Sequence, residues 1–188
     1  MQIEQITFSK LKPGTVLSDG DKIRTGNSGF AAIIFIDDKS ILKLKANSEA
    51  TITGQRTSAS ISKKINMDSG PVRATITKQN VDFVIQTPTS VASVKGTDFW
   101  LLSDPISGDE VIGLDGVVNL VNNETGEEVD VTEGNSGISN PDGSVGIEET
   151  DPNSIPDDPS DDQEGPSQIR IYLDGPNGEQ KTIVIDYQ

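Results

Sequence analysis

Short β-favouring runs follow one another through most of this chain, and no 11-residue window repeats apolar residues convincingly at i, i+3, i+4 and i+7. Ile33–Ile36, Ile41–Lys45, Ala50–Thr53, Ser58–Ser62, Val72–Ile76, Phe83–Gln86, Val91–Val94, Phe99–Leu102, Glu110–Gly113, Val117–Val121 and Glu128–Val131 each suit a pleated strand. Turn residues separate them, among them Asp37-Asp-Lys-Ser40, Gly70-Pro71 and the pairs Asp19-Gly20, Asp115-Gly116 and Asp142-Gly143. Strand starts about 8 to 12 residues apart predict an all-β fold of two packed sheets, arranged as a solenoid or a sandwich.

Charge divides the chain. Residues 1–100 carry 13 Lys or Arg and 9 Asp or Glu, whereas residues 101–188 carry 2 basic side chains, Arg170 and Lys181, against 21 acidic ones. The balances of +4 and −19 give the net −15. That acidity predicts neither nucleic acid nor an anionic membrane surface as partner, since both are bound through an excess of Lys and Arg. Eight carboxylates and four prolines crowd into residues 148–167 with a single Ile. Such a stretch buries too little apolar area to offset its ordering entropy and reads as an acidic linker. The predicted organisation is a β domain over 1–146, a linker over 147–167 and a terminal hairpin over 168–188. Gln168–Leu173 and Lys181–Asp186 flank the turn Asp174-Gly-Pro-Asn-Gly-Glu179, with Ile169, Ile171 and Leu173 on one face and Ile183 and Ile185 on a face of the return strand. A two-stranded hairpin is marginal alone, so it is expected to dock on its own body or on another copy or partner.

The chain has no His and no Cys. Ser-His-Asp triads, Cys nucleophiles, disulfides and Cys/His zinc sites are therefore all closed to it. Paired carboxylates could still serve glycoside hydrolysis, but eight aromatics are few for a sugar-binding cleft, and no phosphate-cradling loop occurs. A non-enzyme is expected, with no cofactor. Calcium is the one metal weighed, with Asp151, Asp157, Asp158, Asp161 and Asp162 as oxygen donors. Their spacing departs from the EF-hand pattern, and a solvated tether is the simpler reading, with docking on basic surface (Lys43, Lys45, Lys63, Lys64, Arg73) as a third. No run approaches the ~18 apolar residues of a membrane span, so no membrane insertion is expected. No basic-then-apolar leader follows Met1.

At Leu17-Ser-Asp-Gly-Asp-Lys-Ile-Arg-Thr-Gly26 the sequence resembles the opening motif of the FecR domain family, a Leu ahead of Gly-Asp-x-Ile-x-Thr-Gly. Phe83-Val-Ile-Gln-Thr-Pro-Thr-Ser-Val-Ala-Ser-Val-Lys-Gly-Thr-Asp-Phe99 resembles the family's most characteristic stretch, an apolar strand, Thr-Pro, then Val-Arg/Lys-Gly-Thr-x-Phe. Glu110–Val121 is similar to the segment that follows, and Gly134 also fits. Three motifs stand in family order over about residues 6 to 138. Asp38-Lys-Ser40 lacks the family's Gly, and the helical domain and membrane span of FecR anti-sigma regulators are not recognisable. The resemblance implies the extracytoplasmic β module, exported by a signal that this chain does not display, without carrying over the anti-sigma function.

The motif residues Gly20, Asp21, Thr25, Gly26, Thr87, Pro88, Lys95, Gly96, Thr97 and Phe99 read mainly as scaffold. Gly20-Asp21 and Thr25-Gly26 bracket a short strand, Pro88 ends one because it lacks an N–H, and Lys95-Gly-Thr97 suggests a tight corner. Lys95 is long and charged enough to reach a partner. In Phe99-Trp-Leu-Leu102 the faces alternate, so Trp100 is either buried in a central strand or an exposed anchor for a protein. Asn123-Glu-Thr125 matches a glycosylation acceptor. The expected function is a non-catalytic protein-binding or scaffolding module. The alternative is a structural subunit that self-assembles, with Ile169, Ile171, Ile183 and Ile185 of the hairpin docking on a neighbouring copy.

Overall fold

The computed structural model describes residues 8–56, 61–160, 167–174 and 180–187. It divides into two units, residues 1–156 and 157–188. The first unit is all β, built from β1 (Lys22–Arg24), β2 (Ala31–Ile34), β3 (Ile41–Leu44), β4 (Glu49–Arg56), β5 (Ile61–Ile76), β6 (Phe83–Gln86), β7 (Ser90–Val94), β8 (Thr97–Asp104), β9 (Gly108–Asp115), β10 (Val117–Asn122), β11 (Glu128–Thr132), β12 (Asn135–Ser139) and β13 (Val145–Glu149).

These strands make two layers that share one strand. The first sheet runs β1-β4-β5-β6-β7-β10-β11 and the second β2-β3-β5-β8-β9-β12-β13. The early half of β5 lies in the first sheet, antiparallel to β4 and parallel to β6, and its late half lies in the second, antiparallel to β3 and β8. Gly70 makes the passage between layers possible. Its φ is +98°, and a Cβ there would lie 2.4 Å from Ser48 Oγ and 2.6 Å from Ser48 Cα. Gly70-Pro71, expected to separate two strands, thus sits inside one. Pro71 falls where the strand changes partners, and its carbonyl accepts from Lys45 N at 3.0 Å.

The sandwich follows from alternation. Leu42 and Leu44 of β3, Val72 and Ala74 of β5, Phe99 and Leu101 of β8 and Val111 of β9 point inward, against Ile52, Ile65, Met67, Phe83, Ile85, Ala92, Val118 and Leu120 of the first sheet. Each large side chain buried this way contributes roughly 1.5–3 kcal/mol. One inward position is ionic. Lys63, 3% exposed, pairs with Asp37 Oδ2 at 2.8 Å and with Asp38, while its ammonium lies 5.1 Å from the centre of the Phe35 ring. It pins the β2–β3 turn of the second sheet to β5, and so is not the open basic surface expected for it.

Two strands, β12 and β13, went unread because Gly137, Gly146 and serines dilute their apolar content. The domain limit set at residue 146 falls inside β13, whose pairing with β12 continues to Glu149 opposite Asn135. The second unit contains β14 (Ser167–Asp174) and β15 (Gln180–Tyr187), an antiparallel pair that sets Ile169 opposite Ile185 and Ile171 opposite Ile183.

Candidate functional site

Three passages between the sheets stack at one end of the sandwich. The segment from β5 to β6 returns to the first sheet, Lys95-Gly96 leads from β7 to β8, and Gly116 leads from β9 back to β10. Gln79 N donates to Lys95 O at 2.7 Å. A Cβ on Gly96 would stand 2.7 Å from Lys78 Cα, and one on Gly116 would stand 2.8 Å from Gly96 O. Backbones this close leave no room for a side chain, which is why the Lys-Gly-Thr corner needs its glycine.

The three passages line a groove of about 910 Å³. Lys78, Asn80 and Lys95 are exposed on it, Lys95 lies 3.6 Å from Asp82, and Val117 adds an apolar spot at 48% exposure. Asp98 is held by Arg73 through two hydrogen bonds, Nε to Oδ1 at 3.0 Å and a terminal nitrogen to Oδ2 at 2.9 Å. Thr97 is 4% exposed, and its hydroxyl has no hydrogen-bond partner.

The opposite end is polar, and although a cavity of about 340 Å³ opens there beside Gly108 and Asp109, the carboxylate itself is closed off from solvent. Thr87 ends β6, accepts hydrogen bonds from Ser90 N (2.8 Å) and Thr89 N (3.2 Å), and donates to Asp109 Oδ2 at 2.5 Å. Ser90 donates to the same oxygen at 2.6 Å, and Thr89 donates to it as well. Asp109 is 3% exposed, so three hydroxyls, rather than a cation, solvate a buried carboxylate. Sequence reading missed Asp109 because Gly108-Asp109-Glu110 looks like a turn. Its parity with the inward Val111 was the available signal. Asn123 Nδ2 donates to Thr87 O and Pro88 O (3.1 and 3.2 Å), so the amide that glycosylation would use is engaged in the same turn.

The opening motif is likewise structural. Gly20 N donates to Ile52 O at 2.8 Å, Asp21 accepts from Ser18 N at 2.7 Å, and Thr25 Oγ1 donates to Lys45 O at 2.5 Å and accepts from Ser48 N at 2.9 Å. Gly26 O accepts from Asn47 N at 3.2 Å. Phe99 is fully buried.

Trp100 does not offer the exposed anchor weighed for it, being 1% exposed. It lies on the outer face of the second sheet, in a register row with Arg73 and Ile112, and the Lys45 ammonium sits 5.8 Å from its ring centre. The β12–β13 ladder runs on by one residue past β13. Thr150 N donates to Gly134 O, and Thr150 Oγ1 meets Ser136 Oγ, the register neighbour of Ile112, at 3.0 Å.

Among the described residues no group of three or more acidic side chains converges as a metal site. Asp151 Oδ1 accepts from Asn153 N and Nδ2, which holds its carboxyl below the usual range, and Asp158 Oδ1 accepts from Ser160 N and Oγ. Asp161 and Asp162 lie outside the described residues. Ile169, Ile171, Ile183 and Ile185 are placed by register alone, on one face of their hairpin.

An all-β module whose crossovers frame a groove of mixed charge, with Lys78 and Lys95 set beside Asp98 and Asp115, is the class that this geometry defines. The profile of the FecR protein family matches residues 21–135, well over half the chain, and the chain belongs to that family. Two crystal structures of a candidate anti-sigma factor from Parabacteroides distasonis share the fold, with TM-scores of 0.60 and 0.59 at 15% and 14% identity. The superpositions cover 70% of this chain and 60% of that protein. No curated protein sequence matches the chain.

Proposed function

We propose that the chain is a non-catalytic protein-binding module acting outside the cytoplasm, and that its partner docks in the groove of the three crossovers. The groove itself carries this reading. Its walls are fixed by backbone packing at Gly96, while Lys78, Lys95, Asn80 and Val117 offer charge, amide and apolar contacts suited to a polypeptide. Kinship with regulators that work by contacting other proteins favours a protein over a small molecule. A photo-crosslinking residue at position 95, compared in the source cells with one at the remote turn position 142, tests it. One discrete adduct at position 95, lost with Lys78→Glu, supports the reading. Identical adduct patterns at the two positions would sink it.

A second reading is self-assembly through the C-terminal hairpin. It rests on a separate two-stranded sheet whose register gathers four isoleucines on one face. Light scattering on the full chain and on a chain ending at Ser167 decides it. Assembly lost on truncation supports it, and equal masses per chain refute it.

A further inference from the structure

The two outer strands of the second sheet differ in charge, β2 carrying none and β13 carrying Glu148 and Glu149, and each leaves one edge unpaired among the described residues. Among the described residues β2 pairs only with β3, and β13 pairs only with β12. Both sheets are laid down broadly in chain order from one lateral side to the other, so the charge division of the sequence becomes a division in space. From Lys22 to Ile76, which spans β1 to β5, there are nine Lys or Arg and four Asp or Glu. From Gly108 to Glu149, which spans β9 to β13, there are eleven Asp or Glu and no Lys or Arg.

Edge strands are normally protected by charges, prolines or bulges, because their free N–H and C=O groups accept another strand. β2 reads Ala-Ala-Ile-Ile, without any of these guards. Ile34 is 60% exposed and Ile36, just beyond the strand, 79%. β13 reads Val-Gly-Ile-Glu-Glu, with Ile147 50% exposed. Four and five residues are matched in length. Pairing β2 with β2 would bring two basic sides together, and pairing β13 with β13 would set Glu148 and Glu149 against their copies. Only the unlike pairing satisfies both charge and edge.

We propose that β13 of one copy adds to β2 of the next, continuing the second sheet across a head-to-tail joint between copies of this chain. Such a joint is heterologous and does not close on itself unless its rotation happens to make a ring, so it generates short chains or filaments. It is independent of the groove, which Lys78→Glu with Lys95→Glu would disable without altering association.

Sedimentation velocity on the full-length protein over a concentration series tests the joint, with Ile34→Lys blocking one edge and Ile147→Lys the other. The wild type is expected to form species larger than dimers as concentration rises. Each variant alone is expected to be monomeric, and an equimolar mixture to give dimers and nothing larger, because one competent edge of each kind remains. Glu148→Lys with Glu149→Lys, at exposed positions, provides a second block of the β13 edge should Ile147→Lys disturb folding. Ile171→Lys with Ile183→Lys breaks association through the hairpin and should leave this joint intact. A wild type that stays monomeric, a single-edge variant that still assembles, or a mixture that fails to dimerise would each overturn the proposal.

Discussion

One continuous stretch, residues 83–99, contributes to both ends of the sandwich, yet the two ends handle charge in opposite ways. At the Thr87 end a carboxylate is buried and solvated by three hydroxyls, and at the Lys95 end two ammonium groups stand in the open above backbone packed to contact. The closed end is therefore expected to matter for stability and the open end for recognition. At the first, three hydroxyls meet one carboxylate oxygen and Asp109 Oδ1 is buried without a partner; at the second, Lys95 has Asp82 at 3.6 Å and stays open to another molecule.

The largest effect should come from removing the buried anion. Asp109→Leu takes the acceptor from Thr89 and Ser90, while Thr87 keeps Ser90 O at 3.1 Å, and at ~1–3 kcal/mol for each orphaned group it should cost about 4 kcal/mol by chemical denaturation. Asp109→Asn, which keeps the shape, should cost clearly less. If the two substitutions cost the same, the closed end is not an electrostatic device.

Gly96→Ala comes next. The new Cβ meets Lys78 Cα rather than a flexible tip, so the crossovers must separate, at about 3 kcal/mol. Denaturant midpoints measure this, and an unchanged midpoint would show that the groove wall is soft.

A smaller effect is expected from acid. Arg24, then Lys22, hold Glu49 below its ordinary value. Burial pushes Asp38 up, but Lys63 and Ser40 together bring it below its own. Folded values below unfolded ones mean stability that is complete above the ordinary carboxylate range and lost as pH falls beneath it, through roughly pH 4 and downward. Melting temperature against pH should show that slope, and Glu49→Gln should flatten part of it.

Least of all, Lys78→Glu, at an exposed position of the groove, should shift stability by less than about 0.5 kcal/mol while abolishing the position-95 adduct. A large loss of stability instead would assign Lys78 to the scaffold.

Local pattern disclosed the strands whose inward residues are apolar, and Phe83–Gln86 has the limits that its sequence suggested. The first-motif and Thr-Pro residues are scaffold for the reasons their chemistry gives. What stayed hidden depends on residues far apart in the chain. The stacking of Lys78, Gly96 and Gly116 has no local signature, and neither does the company Asp109 keeps with Thr87. Trp100 was ambiguous because alternation tells which face a side chain takes but not what later covers that face. Gly70-Pro71 misled because the same pair that stops most strands here bends one.

That bend has a consequence for how the molecule comes into being. β5 hydrogen-bonds to β3, β4, β6 and β8, so neither layer can be completed before it is in place, and neither can open without disturbing it. As the chain emerges, the pairs β1–β4 and β2–β3 stay separate until β5 arrives to join them. Amide protons along residues 63–75 should accordingly be the last to exchange with solvent, at a rate set by global unfolding, and the body should melt in one transition. A single strand makes the two layers one cooperative object.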